Sequence, residues 1–324
     1  MGAFIRISII FLLCVCCSGA SAEFEPNVVG YPGSTEIYFW GVNDDGIIVG
    51  VDAQGMMNQN NFIYDGTSFT TLEMNFPEGG EVRGINNAGN IVGEYCTGDL
   101  VVNGILPPHA CYGFIYNGTA FDTFQFPGAM ITHPMGINSA NAVVGYYQLT
   151  FLDNVTHGFL LDAQGFHTID YPGEGNTTLR GINDSGEIIG EFKGTESSLM
   201  AFLYYEGKFT IISAPDSRYT SLSGIDNQGR IAGWYYEDGP GSVDATAYRN
   251  FLYENEEFIP IEPPGPTFME LMGISPSTRQ LVGTFYRTSY RGTYDPIGIV
   301  FRDQTSEDKT GSEGCFIDLM ITRH

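Results

Sequence analysis

Apolar and polar residues alternate over short runs along most of this chain, and the runs break at Gly, Asn, Asp and Pro. One stretch shows the pattern. Gly158-Phe159-Leu160-Leu161-Asp162 is followed by a turn at Ala163-Gln164-Gly165, then by Phe166-His167-Thr168-Ile169-Asp170 and Tyr171-Pro172-Gly173. Residues 177–182 form the next run, Asn183-Asp184-Ser185-Gly186 the next turn, and residues 187–192 the run after it. Short runs rich in β-branched and aromatic residues, bounded by such turns, predict four short strands. No stretch keeps an apolar period of 3.6 residues, so very little helix is expected.

The pattern repeats. Gly41-Val42-Asn43-Asp44-Asp45-Gly46-Ile47-Ile48-Val49-Gly50 recurs at residues 84–93, 136–145, 181–190, 224–233 and 273–283, with starts 43, 52, 45, 43 and 49 residues apart. A Pro stands nine residues before the first repeat Gly in five copies, at Pro32, Pro127, Pro172, Pro215 and Pro264; in the other, Pro77 stands seven before Gly84. A unit of this length cannot bury its apolar faces alone, so the copies must stack or close on one another. Six four-strand units predict an all-β, six-bladed β-propeller. The segment Pro26-Asn27-Val28-Val29-Gly30-Tyr31-Pro32-Gly33 matches a fourth strand that lacks its first three, and the last unit lacks a clear fourth. An N-terminal strand near residues 25–31 is therefore expected to complete the last blade and remove the open edges.

The chain ends read differently. Arg6 is the only charge before residue 23, residues 7–17 are apolar, and Ala20-Ser21-Ala22 has the small residues of a cleavage site. Residues 1–22 are expected to be a signal peptide, residues 23–303 one propeller domain, and residues 304–324 a flexible tail, unless residues 316–321 add a strand. Secretion follows as the expected localisation. Cys96 and Cys111 bracket one loop and are expected to form a disulfide in an oxidising compartment, leaving Cys315 odd.

Asp and Glu number 38 against 14 Lys and Arg, a formal net charge of −24. Such a surface repels phosphate backbones and anionic bilayers, so neither nucleic acid nor membrane is expected as a partner. It suits cationic ligands or salty surroundings. A monomer is expected.

The combination Gly-Ile-Asn-x-x-Gly-x-Ile-Val-Gly, x-Gly-Phe-Leu-Tyr and Ile-Asp-x-Pro-Gly resembles the extracellular HAF-repeat family over nearly the whole chain after residue 22. The family's His survives only at His157-Gly158-Phe159; elsewhere the element reads Tyr112-Gly113-Phe114, Met200-Ala201-Phe202 and Asn250-Phe251. The resemblance implies a repeat fold and carries no defined activity to transfer.

Chemistry is expected on the face where the second strand of each unit runs into the third, because those loops vary in length and the hairpins do not. Three residues before each repeat Gly stand Tyr38, Glu81, His133, Thr178, Ser221 and Glu270. Glu81 and Glu270 can serve as acid and base with His133 between them; polar lining of a channel is the alternative. Arg83 with Glu94, and Arg180 with Glu191, share one offset and read as cross-strand ion pairs near the channel or as a charged ring for a polar ligand. Tyr38, Arg83, Arg180, Trp234 and Tyr236 are the candidate ligand contacts, and Trp40 reads as blade packing. His109, His133 and His157 fall in loops of adjacent units and can hold zinc, copper or iron, although no short metal motif is present and the cofactor is left unknown. The Asn-Asp-x-Gly turns read as backbone turns rather than calcium loops.

The leading expectation is a secreted acidic propeller that binds a small molecule or glycan at the mouth of its channel. The alternatives are a secreted enzyme acting there on a small, even aromatic, molecule, an oxidative luciferase being one version, and a structural extracellular protein.

Overall fold

A computed structural model describes residues 24–303, except 32, 35, 54–58, 77–78, 99–109, 151–154, 174–175, 194–197, 218, 237–247, 265–267 and 289–293. The expected signal peptide and tail, and with them His109, Pro32, Pro77 and much of the variable loops, lie outside the described residues.

Among the described residues the chain is all strand and turn. β1 is Phe24–Val29. The first unit holds β2 (Ile37–Val42), β3 (Ile48–Ala53), β4 (Gln59–Tyr64) and β5 (Phe69–Leu72). The second holds β6 (Glu81–Ile85), β7 (Ile91–Thr97), β8 (Ala110–Tyr116) and β9 (Phe121–Phe124). The third holds β10 (Ile131–Ile137), β11 (Val143–Gln148), β12 (His157–Asp162) and β13 (Gly165–Thr168). The fourth holds β14 (Thr177–Ile182), β15 (Ile188–Lys193), β16 (Leu199–Tyr205) and β17 (Lys208–Ile212). The fifth holds β18 (Tyr219–Ile225), β19 (Ile231–Tyr236), β20 (Tyr248–Glu254) and β21 (Glu257–Ile261). The last holds β22 (Phe268–Ile274), β23 (Leu281–Thr288) and β24 (Tyr294–Asp303). β1 pairs antiparallel with β24, from Phe24 opposite Asp303 to Val29 opposite Gly298, and supplies that unit's fourth strand.

Hydrogen bonding defines four sheets of four, eight, eight and four strands rather than six separate ones. The reason is local. β9 pairs with β8 only as far as Gly113, which leaves the edge of Cys111 open, and the Cys111 N–H donates to the Met130 carbonyl at 2.9 Å beside the parallel bridge from Cys111 to Ile131. β17 likewise stops opposite Ala201, and Leu199 bridges to Tyr219. A short fourth strand exposes its neighbour's edge, and the next unit covers it.

In the first five units the core is a pair of rings, and the last has Ile299 at the same position. Phe62, Phe114, Phe159, Phe202 and Phe251 are buried, and each meets a Phe of the fourth strand edge-on, as Phe114 does Phe121 at 5.2 Å and Phe202 does Phe209 at 5.1 Å. The second repeat Gly makes room for that ring. A Cβ on Gly190 would lie 2.6 Å from Phe202 Cζ and 2.8 Å from the Thr178 carbonyl, too close for any side chain. The first repeat Gly serves another purpose: it lets innermost strands approach. A Cβ on Gly41 would lie 3.0 Å from Gly84 Cα, on Gly136 3.0 Å from Gly181 Cα, and on Gly224 3.2 Å from Gly273 Cα. One on Gly273 would lie 3.6 Å from Gly41 Cα, so the last unit meets the first. The result is a β-propeller-like fold.

Candidate functional site

The ladder between the first two strands of every unit slips by one residue at the same place. The shift falls between Phe39 and Gly41, Val82 and Gly84, Pro134 and Gly136, Leu179 and Gly181, Leu222 and Gly224, and Leu271 and Gly273. Such a bulge leaves one residue unpaired and re-aims its side chain. The six freed residues are Trp40, Arg83, Met135, Arg180, Ser223 and Met272, and all six line a cavity of about 260 Å³, joined there by Ser221, Leu222, Trp234 and Glu270. On the hairpin side of the same six residues lies a narrower space of about 80 Å³ walled by the first repeat glycines and the apolar residues after them.

Of the sequence-expected contacts, Arg83, Arg180, Trp234 and Glu270 are therefore brought together. Trp40 packs between the first two units as expected, against the cluster that holds Val49, Val51, Val82 and Ile85, and it also lines the cavity. Tyr38 stacks behind Trp40 at 6.1 Å, and Tyr236 meets Trp234 edge-on at 5.5 Å; neither belongs to the cavity wall.

The charged groups fall into separate clusters. Glu81 faces Glu94 in register, so Arg83 is not Glu94's cross-strand partner as the offset suggested. From its bulge, Arg83 reaches diagonally to Glu94 at 2.7 Å and to Glu81 at 3.0 Å. His133 Nδ1 lies 3.4 Å from the same Glu94 carboxylate, and its ring stacks on Tyr146 at 4.9 Å. Burial pushes the Glu81 carboxyl up, against the pull of Arg83. Burial also pushes Glu94 up, but the His133 hydrogen bond and the Arg83 charge outweigh it and hold Glu94 below the usual carboxylate range. In the fourth unit Arg180 donates from Nε and Nη2 to Glu191, whose other oxygen accepts the Ser221 hydroxyl and the Leu222 N–H of the next unit.

Glu270 lines the cavity, whereas Glu81 and His133 gather on Arg83 and Glu94 and do not line it, so the expected acid, base and histidine share no partner. Glu270 accepts from the Tyr248 hydroxyl at 2.9 Å and the Tyr286 hydroxyl at 3.1 Å. Burial first, then the Glu270 charge, pushes both phenols far above their ordinary range, so they stay protonated donors. Tyr248 stacks on Trp234 at 4.7 Å, and Tyr286 on Phe268 at 4.2 Å.

Of the three expected metal ligands, the two that are described do not converge. His133 lies opposite Tyr146, and His157 opposite Tyr147. Adjacent register positions point to opposite sheet faces, so His133 and His157 occupy different sides of the third unit. His157 Nδ1 is instead bound to Asp170 at 2.8 Å, and among the described residues no cluster of three His, Cys, Asp or Glu can hold a metal. The Cys96–Cys111 disulfide forms between residues directly opposite in β7 and β8. The turns are spoken for as well: Asn43, Asn86, Asn138 and Asn183 each use Oδ1 to accept two backbone N–H groups of their own turn.

Sequence reasoning missed Met135, Ser223 and Met272, together with Tyr248 and Tyr286. The available signal was the residue just before each repeat Gly, which changes from Trp to Arg, Met and Ser between copies while the Gly after it is constant.

No family model and no curated protein matches the chain. Solved structures do. A protein of unknown function from Dyadobacter fermentans is 9% identical, with 87% of this chain and 100% of that one covered and a TM-score of 0.52. A triple arginine-to-alanine variant of AofleA from Arthrobotrys oligospora is 14% identical over 86% and 87% of the two chains, with a TM-score of 0.51. An acylaminoacyl peptidase in complex with a chloromethyl ketone is 11% identical, with 81% of this chain and 43% of that one covered and a TM-score of 0.51. At these identities the likeness is one of fold.

Proposed function

We propose that this protein is a secreted, six-bladed β-propeller, closed by β1, that binds a small molecule or glycan in its channel cavity. The observation that carries the binding is the cavity of about 260 Å³ to which all six units contribute a side chain, two of them indoles. A space just below the usual range of about 300–1,000 Å³ suits a ligand of one or two rings. The indoles offer flat apolar faces, and the Glu and Arg side chains beside them fix orientation. Ring closure is supported by the approach of Gly273 to Gly41 and by the β1–β24 ladder. Secretion is supported by the apolar N-terminal run and by a disulfide, which persists in oxidising compartments.

The chain contains two Trp residues, and both line the cavity. Intrinsic emission therefore reports on the site directly. Titration with mono- and disaccharides, aromatic acids and amines is expected to change that emission saturably for at least one class. Trp234→Ala is expected to weaken the same ligand about tenfold or more. No saturable change for any class would sink the proposal.

A further inference from the structure

Charge in the cavity wall is unevenly matched. The Arg83 guanidinium is held by Glu94 and Glu81, and that of Arg180 by Glu191. The carboxylates of Glu94 and Glu191 are almost wholly buried, with side-chain exposures of 6% and 3%, and neither lines the cavity, so the two guanidiniums of the wall are matched by fixed partners outside it. Glu270 has no such partner. Among the described residues no Arg, Lys or His pairs with it, and its two donors are neutral phenols. Three carboxylates thus share two guanidiniums, with His133 beside Glu94, and Glu270 is the fourth carboxylate and has no cation, in a chain of net charge −24.

The surroundings of Glu270 are aromatic. Tyr248 is held between the stacked Trp234 and the edge-on Tyr236, at 4.7 and 4.6 Å, and Tyr286 is backed by Phe268. Trp234, Trp40, Met135 and Met272 complete the wall beside it. A carboxylate set among π faces and thioethers has the pieces of a site for organic cations, because ring quadrupoles and the negative charge attract the same ligand. The wall already contains one such contact: the Arg83 guanidinium carbon lies 4.8 Å over the Trp40 ring. An anion would have to draw Arg83 and Arg180 away from buried carboxylates and then sit near Glu270, losing on both counts.

We infer that the cavity selects an organic cation, an ammonium on an apolar or aromatic body, with the charged nitrogen against Glu270 and Trp234. This rests on the reading of the cavity as a ligand site.

Three probes of one shape test it by calorimetry and Trp emission: choline, the neutral 3,3-dimethylbutan-1-ol, and the anion 3,3-dimethylbutanoate. Choline is expected to bind about tenfold or more tightly than the alcohol, the anion is expected to bind weakest, and added salt is expected to weaken choline alone. Glu270→Gln is expected to erase the preference for choline while leaving the alcohol's affinity. Trp234→Leu, which keeps the carboxylate and its two phenol donors, is expected to weaken choline more than the alcohol and holds the test open if Glu270→Gln does not fold. Equal binding of choline and the alcohol, or preference for the anion, overturns the inference. So does binding of a sugar with no binding of choline, which leaves the proposed function standing. Silence of the sugars, the aromatic ligands and all three probes overturns both.

Discussion

The two ends of each innermost strand obey different rules. After the repeat Gly, the turn end carries Asn in four of the six units, with Asp226 and Ser275 in the other two. Asn43, Asn86, Asn138 and Asn183 close their own turns with Oδ1 and donate from Nδ2 to the carbonyl of the corresponding residue in the next unit, at 3.4, 2.9, 3.1 and 2.9 Å. Just before that Gly, the bulge end shows Trp, Arg, Met, Arg, Ser and Met on one repeated backbone. The turn end spends its side chains on backbone groups and on the neighbouring unit. At the bulge end the backbone does not depend on the side chain, since every copy carries the same register shift whatever residue stands there. Constant residues at a constant backbone position mark the scaffold, and variable residues at a constant position mark a place free to take on chemistry.

The sharpest way to break this contrast is to put a methyl on the scaffold. Gly190→Ala places a carbon 2.6 Å from the Phe202 ring and 2.8 Å from the Thr178 carbonyl, and neither a buried ring nor a ladder carbonyl can retreat far. A loss of about 3 kcal/mol or more is expected in urea denaturation. Met135→Ala, on the cavity side, is expected to lose about 1 kcal/mol or less, because its neighbour is a cavity. Equal losses at the two positions would mean that the bulge residues belong to the core.

How much of this was legible follows the same division. The strand pattern, the repeat length and the unfinished last unit were all visible, because glycine, proline and β-branched residues act locally and recur. The pairing of β1 with β24 could be anticipated from a fourth-strand motif that had no first three. The bulge could not, because a register slip leaves no mark on the alternation of Val82, Arg83 and Gly84. That is why Arg83 was expected opposite Glu94 when Glu81 holds that position. The surroundings of Glu270 were hidden for another reason. Tyr248 and Tyr286 come from β20 and β23, in different units, and only the packed structure sets their hydroxyls on one carboxylate.

A smaller effect is expected at the turn. Asn183→Ala removes the acceptor for the Ser185 and Glu187 N–H groups and the donor to the Asp226 carbonyl. Three buried or half-buried hydrogen bonds lost together are expected to lower stability by about 2 kcal/mol, read by thermal and urea unfolding. Ligand response at Trp234 is expected to be unchanged. A change in that response without a change in stability would show that the turn end communicates with the cavity and would erase the distinction drawn above.

The smallest expected effect separates two carboxylates of one strand pair by pH. Glu94 is held below its ordinary range, so its contribution to stability is present above the unfolded value of about 4.3 and is lost as pH falls through the folded value. The penalty for Glu94→Gln, measured by denaturation from pH 7 down to pH 3, is therefore expected to shrink in acid. Glu81 is pushed above its ordinary range by burial, so its contribution is present below about 4.3 and is lost as pH rises through the folded value. Glu81→Gln is expected to compare best with the parent protein at neutral pH and worst near pH 4. Opposite slopes at two residues that face each other across β6 and β7 would mean that Arg83 and His133 serve Glu94 first and leave Glu81 the weaker share of the same guanidinium. Parallel slopes would mean that the four groups titrate as one unit and that Arg83 is shared evenly.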